Sequence, residues 1–349
     1  MNLTDRVELA LAGVRVDAPV QRSKGAGPSD DGHLALDGGN SKTDVALVGT
    51  DGTLIDSARG GGINSQEAGA EATVRVLDEL VRQVTSSGIP VLHTVACLAN
   101  ADLPEEEEEL AEAVRVQGWS PTSTVINDTF AILRAGLQNE PHWGVAVVCG
   151  AGINCVGVAP DDRVTRFLAL GQLTGDWGGG YGLGCEVMWH AIRGEDGRGP
   201  RTLLTRAVAD YFELPKVEDA AIGLHKSKIA DGLLNGLSPV LFRASADGDT
   251  VAQGIVDHLA EEISILALTA MRRLDLTELA TPVILGGGVI TARDPRLING
   301  IASRLAAEAP QAWMRIIDVP PVVGAALLAL DHVLAEPSAE SRLRAGYHP

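Results

Sequence analysis

The sequence predicts an α/β protein built from two similarly organised halves with a cleft between them. Three observations predict this architecture. An order of three strands followed by alternating helices and strands occurs twice, and a glycine-rich turn follows the first strand of each copy. The length of 349 residues also suits two domains of roughly 100–200 residues better than one. The repeat is one of pattern, since the two halves are not plainly similar in sequence.

The first copy begins with three strand-like runs, HLALDGG, TDVALVG and TLIDSARG, the last after the turn pair Asp51-Gly52. Apolar residues at helical spacing predict a helix over residues 66–86, and VLHTVACLA predicts a buried strand. Pro104 opens the next helix, followed by the strand STVIND and the helix FAILRAGL. The glutamates at 105–109 complement the dipole of that helix start, and we expect them to be solvated.

The second copy begins with WGVAVVCGAG, INCVGVA and RVTRFLAL, which we interpret as three further strands. A helix-rich stretch from 180 to 274 follows, and then the strand PVILGGG, a helix over 295–308 and the strand MRIID. The run VVGAALLALDHVL predicts a closing helix.

These elements divide the chain into segments. Residues 1–31 are expected to form a partly disordered extension with a short helix over TDRVELALAGV. The first domain covers 32–138 and the second covers 139–321, with a helical insertion. The closing helix, 322–335, is expected to pack back on the first domain, and 336–349 is treated as a tail.

Composition and charge exclude several classes of function. Hydrophobic residues make up 45% and charged residues 21%, as in ordinary globular proteins. The formal charge of −18 would repel polyanions, so nucleic acid and anionic membranes are not expected partners. The four cysteines form no CxxC pair, which is typical of a reduced, intracellular protein. No apolar run is long enough for a bilayer and no secretion signal is evident, so we expect a cytoplasmic protein.

The first glycine-rich turn follows Asp37 and contains Gly38, Gly39, Asn40, Ser41, Lys42 and Thr43. A hairpin of this kind can point consecutive N–H groups at a phosphate, and an acidic residue at the strand end can hold hydrated Mg²⁺. A plain β-turn is the alternative interpretation. The segment is not a Walker A loop, which needs a strand-to-helix context and GK[ST].

Two further glycine segments strengthen the phosphate interpretation. Gly150, Ala151 and Gly152 lie at the matching point of the second copy, so two hairpins could clamp phosphates from both sides of a cleft. Gly286, Gly287 and Gly288 follow the strand PVIL, where glycine lets the backbone lie flat against a nucleobase or ribose. A tight strand-to-helix turn is the alternative for this third segment.

Two segments carry candidate chemistry. Asn127-Asp128 ends a strand and precedes a helix, so Asp128 is either an N-cap or the base that accepts a hydroxyl proton during phosphoryl transfer. In GQLTGDWGGGYG, Asp176 could bind sugar hydroxyls while Trp177 or Tyr181 covers an apolar ring face. A flexible glycine loop is the alternative for this segment.

Seven segments in order over residues 33–333 resemble the N-acetylglucosamine kinase and BadF/BadG ATPase family of the actin, Hsp70 and sugar kinase superfamily. They are LALDGGNSKTDVAL, GGGINSQ, INDTFAIL, VVCGAGINCVGV, GQLTGDWGGGYGLG, VILGGGV and PPVVGAALLAL. The resemblance implies two duplicated ribonuclease-H-like domains with an ATP cleft between them. It also implies an ATP-dependent sugar kinase that acts on the 6-hydroxyl of an N-acetylhexosamine such as N-acetylglucosamine, and assembly as a homodimer.

The resemblance also implies residue roles. Asp37 would orient Mg²⁺, the loops at Gly38–Lys42 and Gly150–Asn154 would hold phosphates, and Gly286–Gly288 would meet the adenosine. Asp128 matches the catalytic base of the family. Asn64 and Asp176 match its sugar-binding positions, with Asn127 and Gly152 nearby.

One departure from the family leaves the sugar open. The family pattern Gly-Asp-Glu-Gly-Ser is replaced by Gly175-Asp176-Trp177-Gly178-Gly179, which could reshape the pocket for another amino sugar. Three other functions remain as alternatives: an ATPase that activates a dehydratase through a cysteine-bound iron–sulfur cluster, a sugar-responsive repressor, and a scaffold that uses ATP as a switch. The repressor would need a DNA-binding motif and a basic face, and the sequence has neither.

Overall fold

The computed structural model describes residues 31–138 and 142–347. The helix predicted over TDRVELALAGV lies outside the described residues. The described chain contains two five-stranded sheets with strand orders β3-β2-β1-β4-β5 and β10-β9-β6-β7-β8, the same arrangement read from opposite edges. The predicted duplicated α/β architecture is therefore confirmed.

The first sheet contains three antiparallel strands and two parallel ones. Strands β1 (Gly32–Gly38), β2 (Lys42–Gly49) and β3 (Leu54–Gly61) form the antiparallel part. Strands β4 (Val91–Leu98) and β5 (Thr122–Asn127) continue it in parallel beside β1. Because the carboxyl ends of β1, β4 and β5 meet at one edge, polar residues that follow these strands come together there.

The helices of the first half follow its strands closely. They are α1 (Ser65–Ala68), α2 (Ala70–Val84), α3 (Pro104–Gln117) and α4 (Thr129–Gly136). The helix predicted over 66–86 is interrupted at Gly69, which has a φ of +81°. The glutamate run at the start of α3 is not wholly solvated as predicted, because the Glu107 side chain is fully buried and paired with Arg166.

The second sheet repeats the plan with β6 (Gly144–Cys149), β7 (Ile153–Val158), β8 (Val164–Arg166), β9 (Pro282–Gly286) and β10 (Trp313–Ile316). The strand predicted over RVTRFLAL is shorter than expected and covers three residues. Phe167 turns instead to pack on the core beneath Arg273, and Ala169 has a φ of +53°, which is incompatible with an extended strand.

The helical insertion lies between β8 and β9. It contains α5 (Gly179–Asp196), α6 (Leu204–Tyr211), α7 (Val217–His225), α8 (Ser238–Ala246) and α9 (Thr250–Arg273). The short helix α10 (Gly288–Thr291) follows β9, and α11 (Pro295–Glu308) precedes β10.

The two halves meet through α4 and α12 (Pro321–His332). Helix α12 closes the second copy but packs on β1 and β4 of the first sheet, while α4 packs on β6 and β9 of the second. The approach is close at Gly324, where a Cβ would collide with the Ala131 carbonyl. One apolar core accordingly contains residues from both sheets and both helices.

The segment treated as a tail contains a helix, α13 (Pro337–Tyr347). The buried Arg134 of α4 binds Glu340 of this helix at 2.9 Å and Asp331 of α12 at 2.7 Å. These ion pairs fix α13 against the junction of the two halves. Among the described helices, none is both long enough and apolar enough to cross a bilayer.

Candidate active site

The first glycine loop connects β1 to β2 and leaves two backbone amides available to a ligand. Gly39 donates to the carbonyl oxygen of Lys42 at 2.9 Å, which closes the turn. Within residues 31–138 and 142–347, the amides of Asn40 and Ser41 donate to no protein group. The Lys42 ammonium lies 3.6 Å from the Asp44 carboxylate beside the turn. Neighbouring N–H groups beside a cation are suited to an anion.

The second glycine loop connects β6 to β7 in the same way. Gly150 donates to the carbonyl oxygen of Gly152 at 2.9 Å. In the part of the chain that the structure describes, the amides of Ala151 and Gly152 have no protein acceptor. The carbonyl oxygens of Gly150 and Ala151 accept from the amides of Gly180 and Tyr181, at 2.7 and 3.2 Å. The first turn of α5 therefore holds the loop in place.

The third glycine segment lies directly against the second loop. Gly287 has a φ of +90°, and a Cβ there would lie 2.7 Å from the Gly150 nitrogen and closer still to the Cys149 carbonyl. Only glycine accommodates both the dihedral angle and the approach. At Gly288 a Cβ would meet nothing within 4 Å, so this face of the segment is open.

Asp128 stands at the start of α4, but its side chain makes no capping hydrogen bond. The Asn127 side chain takes that role, since its Oδ1 accepts from the Thr129 amide at 3.1 Å and from Thr129 Oγ1 at 2.6 Å. Burial raises the pKa of Asp128 to about 6, against the opposing effect of the neighbouring backbone amides of Asp128 and Thr129. The structure therefore contradicts the simple N-cap alternative, and the carboxylate is suited to exchange a proton near neutral pH.

Asp37 is buried at the end of β1, where burial and the charges of Asp128 and Asp44 raise its pKa well above the usual range. Repulsion between buried carboxylates is a situation that a bound cation relieves. No group of three or more acidic, histidine or cysteine ligands occurs among the described residues. Mg²⁺ fits this donor set because it commonly uses one or two carboxylates and completes its shell with water and phosphate oxygens.

The structure brings Asn64 to the first loop. Its Oδ1 accepts from Asn100 Nδ2 at 3.2 Å, and Asn100 Nδ2 also donates to Asn40 Oδ1 at 2.6 Å. Asn64 also caps α1 through the Glu67 amide. The side chain predicted to contact sugar thus lies beside the loop predicted to hold phosphate. Thr43, at the far side of the turn, is buried.

The sugar-loop residues are more dispersed. Asp176 accepts a hydrogen bond from Thr174 Oγ1 at 2.6 Å, and Tyr181 lies on α5 beside Cys185. Trp177 is half-buried: it packs against His258 with ring centroids 4.2 Å apart and contacts the core of the second half, so part of its ring is covered by protein. No hydrogen bond among the described residues joins Asp176 or Tyr181 to the Asp128 region.

Sequence reasoning missed Asp102, which follows β4 and lies next to the candidate base. Its Oδ1 accepts from Asn127 Nδ2 at 2.9 Å and from Asn154 Nδ2 at 3.0 Å. The signal was present in its position, because Asp37, Asp102 and Asp128 all lie at the carboxyl ends of neighbouring strands β1, β4 and β5.

The cysteines are mostly inaccessible. Cys97, Cys149 and Cys155 are buried, while Cys185 is partly exposed. Burial raises the pKa of Cys149 to about 12 and also raises that of Cys155. Thiols in such surroundings remain protonated and inert.

Comparisons with known proteins agree with this architecture. A 26% identical relative, the N-acetylmuramic acid/N-acetylglucosamine kinase of Clostridium acetobutylicum, aligns over 74% of this chain and 85% of its own. The N-acetyl-D-glucosamine kinase of Dictyostelium discoideum is 25% identical over 85% of this chain and 97% of its own.

A solved structure of a candidate N-acetylglucosamine kinase from Chromobacterium violaceum superimposes with a TM-score of 0.65 at 21% identity. The superposition covers 85% of this chain and 98% of that one, and it shows that the two proteins share a fold. The sequence profile of the BadF/BadG/BcrA/BcrD ATPase family matches residues 34–329. Since this match spans most of the sequence, the chain belongs to the BadF/BadG/BcrA/BcrD ATPase family.

Proposed function

We propose that this protein is an ATP-dependent amino-sugar kinase that transfers the γ-phosphoryl group to the 6-hydroxyl of N-acetylglucosamine or a closely related N-acetylhexosamine. The observation that carries the proposal is Asp128, a half-buried carboxylate that makes no helix-capping hydrogen bond and lies at the strand ends beside Asp37. The family assignment and the names of the two curated relatives support the same reaction.

In the proposed reaction Asp128 accepts the proton of the sugar hydroxyl. The hydroxyl oxygen forms a bond to the γ-phosphorus, the bond from that phosphorus to the bridging oxygen breaks, and ADP leaves. The amides of Asn40, Ser41, Ala151 and Gly152 would hold the phosphates, and Gly286–Gly288 would lie against the adenosine.

Asp37 would hold Mg²⁺, which when bound neutralises charge on the phosphates. Lys42 and the backbone amides of both loops add positive potential at the same place. Approach of the two halves would exclude water, so that the sugar hydroxyl is the acceptor.

For the sugar we propose contacts from Asn64, Asn127, Gly152, Asp176 and Tyr181. Asn64 and Asn127 lie near the candidate phosphate and base positions, which supports their part in the site. Asp176 and Tyr181 would reach the sugar from the second half. The candidate substrates are N-acetylglucosamine, N-acetylmuramic acid and another hexosamine, because Trp177 departs from the family pattern. Homodimer assembly and a cytoplasmic location remain predictions from the sequence.

The dehydratase-activating ATPase is the weaker alternative. A cluster of iron and sulfur is held by thiolates. Three of the four cysteines are instead buried, and burial raises the pKa of Cys149 to about 12. Cysteines in this state are typical of packing rather than of cluster binding.

The experiment that tests the proposal measures ADP release from Mg²⁺-ATP with N-acetylglucosamine, N-acetylmuramic acid, N-acetylmannosamine, glucosamine and glucose, against a blank without sugar. We expect release to depend on an N-acetylated sugar. Asp128→Asn should lower kcat by at least about 100-fold, since general-base catalysis contributes 10²–10⁴-fold, and should leave ATP affinity within about twofold. Release equal to the blank for every sugar would overturn the proposal, and wild-type kcat in Asp128→Asn would remove the base assignment.

A further inference from the structure

A partly buried polar network joins the two halves beside Asp128, and Asp102 is at its centre. One carboxylate oxygen of Asp102, Oδ1, accepts from Asn127 of the first half at 2.9 Å and from Asn154 of the second half at 3.0 Å. The Asn154 side chain is itself oriented, since its Oδ1 accepts from the Cys155 amide at 2.7 Å. Asp102 therefore fixes one amide group on each side of the junction.

The orientation of Asn127 determines what Asp128 can do. Its Nδ2 donates to Asp102 Oδ1 at 2.9 Å and to the Ala101 carbonyl oxygen at 3.2 Å, and this leaves its Oδ1 facing Thr129, where it caps α4. A rotated amide would present Nδ2 to the Thr129 amide, donor against donor, and the cap would be lost. Asp128 is then the nearest alternative acceptor for the helix start. Asp102 thus acts on the candidate base through Asn127.

The backbone around Asp102 is also held from the second half. Arg166 of β8 donates to the carbonyl oxygens of Ala101 at 2.7 Å and Asp102 at 3.3 Å. Arg166 Nη1 donates to both carboxylate oxygens of Glu107 at 2.9 Å, whereas the two carbonyl contacts come from Nη2. Glu107 in turn accepts a hydrogen bond from the backbone N–H of Asn127 at 3.2 Å. The position of Asn127 therefore depends on contacts made by both halves.

A carboxylate at position 102 is costly where it stands, which indicates a purpose beyond filling space. Burial, together with the charges of Asp128 and Glu106, raises the pKa of Asp102 to about 7 against the opposing effects of Arg166 and of the hydrogen bond from Asn127. Asp128 faces Asp37 and Cys97 as well as Asp102. An uncharged hydrogen-bond acceptor at position 102 would avoid this repulsion, but it would place no negative charge near Asp128.

We propose that Asp102 is a positioning residue for the phosphoryl transfer. It holds the side chains of Asn127 and Asn154 on a single carboxylate oxygen. In this way it links the approach of the two halves to the availability of the Asp128 carboxylate, which is then not used to cap α4. The inference rests on the proposed kinase function. It assigns Asp102 no contact with the sugar or the nucleotide.

The test compares Asp102→Ala, Asp102→Asn and the exposed control Asp161→Asn in the full chain. With the best sugar of the panel, Asp102→Ala should lower kcat about 10- to 100-fold, as small misplacements of catalytic groups do, and leave the KM for ATP within about twofold. Asp102→Asn keeps an acceptor oxygen, so kcat should recover to within about tenfold of wild type. Asp161 is exposed and pairs with Arg163 on the surface, so Asp161→Asn should match wild type.

A pH profile separates positioning from simple structural support. Because the pKa of Asp102 is about 7, wild-type kcat should fall as the pH decreases through 7 and Asp102 loses its charge. This limb should be absent from the kcat profile of Asp102→Asn, whose melting temperature should stay near that of wild type. A double-mutant cycle with Asn154→Ala adds a second readout: the loss from Asn154→Ala should be smaller in the Asp102→Ala background, because both act through one bond.

The outcomes distinguish the inference from the function on which it rests. If the wild type shows sugar-dependent turnover but Asp102→Ala retains its kcat, the positioning role is refuted. It is also refuted if Asp102→Asn keeps the same limb near pH 7 as wild type. If Asp102→Ala loses activity only in proportion to unfolding, seen in its melting curve, the role is also refuted. If the wild type releases no ADP with any sugar, the proposed function itself has failed.

Discussion

Replacement of Gly287 by alanine tests how closely the second and third glycine segments approach each other. Gly287 has a φ of +90°, a region that residues with a Cβ rarely adopt. Its Cβ would lie 2.7 Å from the Gly150 nitrogen, with the Cys149 carbonyl nearer still. Those neighbours are backbone atoms of the candidate phosphate loop, so they cannot move aside as a flexible side chain would.

Two penalties add for Gly287→Ala. Holding an L-residue at this dihedral angle costs about 1–2 kcal/mol. Forcing a methyl group against packed backbone typically costs about 1–3 kcal/mol more. We therefore expect the free energy of unfolding to fall by roughly 2–5 kcal/mol, and the second loop to shift away from β9.

Gly288→Ala is the matched control, since it makes the same chemical change one residue along the chain. A Cβ at Gly288 meets nothing within 4 Å, and no positive φ has to be maintained there. Its free energy of unfolding should stay within about 0.5 kcal/mol of wild type. If the adenosine lies against this segment as proposed, the KM for ATP should nevertheless rise in Gly288→Ala.

The assay is urea denaturation of wild type and both variants, followed by ATP titration of the folded proteins. Gly287→Ala should lower the denaturation midpoint without a change in the slope m, and should weaken ATP binding. If Gly287→Ala were as stable as Gly288→Ala and bound ATP like wild type, the close packing of the two loops would be wrong.

Two further predictions concern titration and the junction of the halves. Because the pKa of Asp128 is raised to about 6, kcat should fall roughly tenfold per pH unit below 6. The same shift makes the Asp128 contribution to the free energy of unfolding decrease as the pH rises from 3.8 to about 6. The stability of Asp128→Asn relative to wild type should therefore be greater at pH 8 than at pH 4, and an equal difference at both pH values would contradict the shift. Arg134→Met removes the cation between Asp331 and Glu340 and should lower the free energy of unfolding by about 3–5 kcal/mol. The control Arg342→Met, at an exposed pair with Asp51, should lower it by less than about 1 kcal/mol. Equal losses in the two variants would refute the role of the buried ion pairs.

The order of strands and helices along the chain could be predicted because buried strands and amphipathic helices leave clear hydrophobic patterns. The helix over 295–308 matches α11, Pro295–Glu308, since Asp294 caps it and proline opens it, both of which are local signals. The strand over RVTRFLAL was overextended because its apolar residues serve tertiary packing, with Phe167 lying beneath Arg273. Helix α13 was missed because it is held by ion pairs to α4, distant in sequence.

In the site, the glycine loops and Asp128 could be proposed from motif and position. The polar network of Asp102, Asn127 and Asn154 beside Asp128 could not. The contact between Asp102 and Asn154 spans 52 residues and crosses between the halves, so no local pattern encodes it. The surroundings of Trp177 could not be predicted either. The sequence offered Trp177 or Tyr181 as the apolar face for a sugar ring, and only the structure shows that Trp177 packs on His258 of α9.

The measurement that tests the central claim most directly follows the phosphate itself. Wild type and Asp128→Asn would be incubated with Mg²⁺ and ATP labelled with ³²P at the γ-position, with N-acetylglucosamine and with N-acetylmuramic acid, and the labelled products separated and their phosphorylated position determined. We predict a labelled sugar 6-phosphate with wild type and almost none with Asp128→Asn. Label that appears only as inorganic phosphate, or equal sugar labelling by both proteins, would contradict the account.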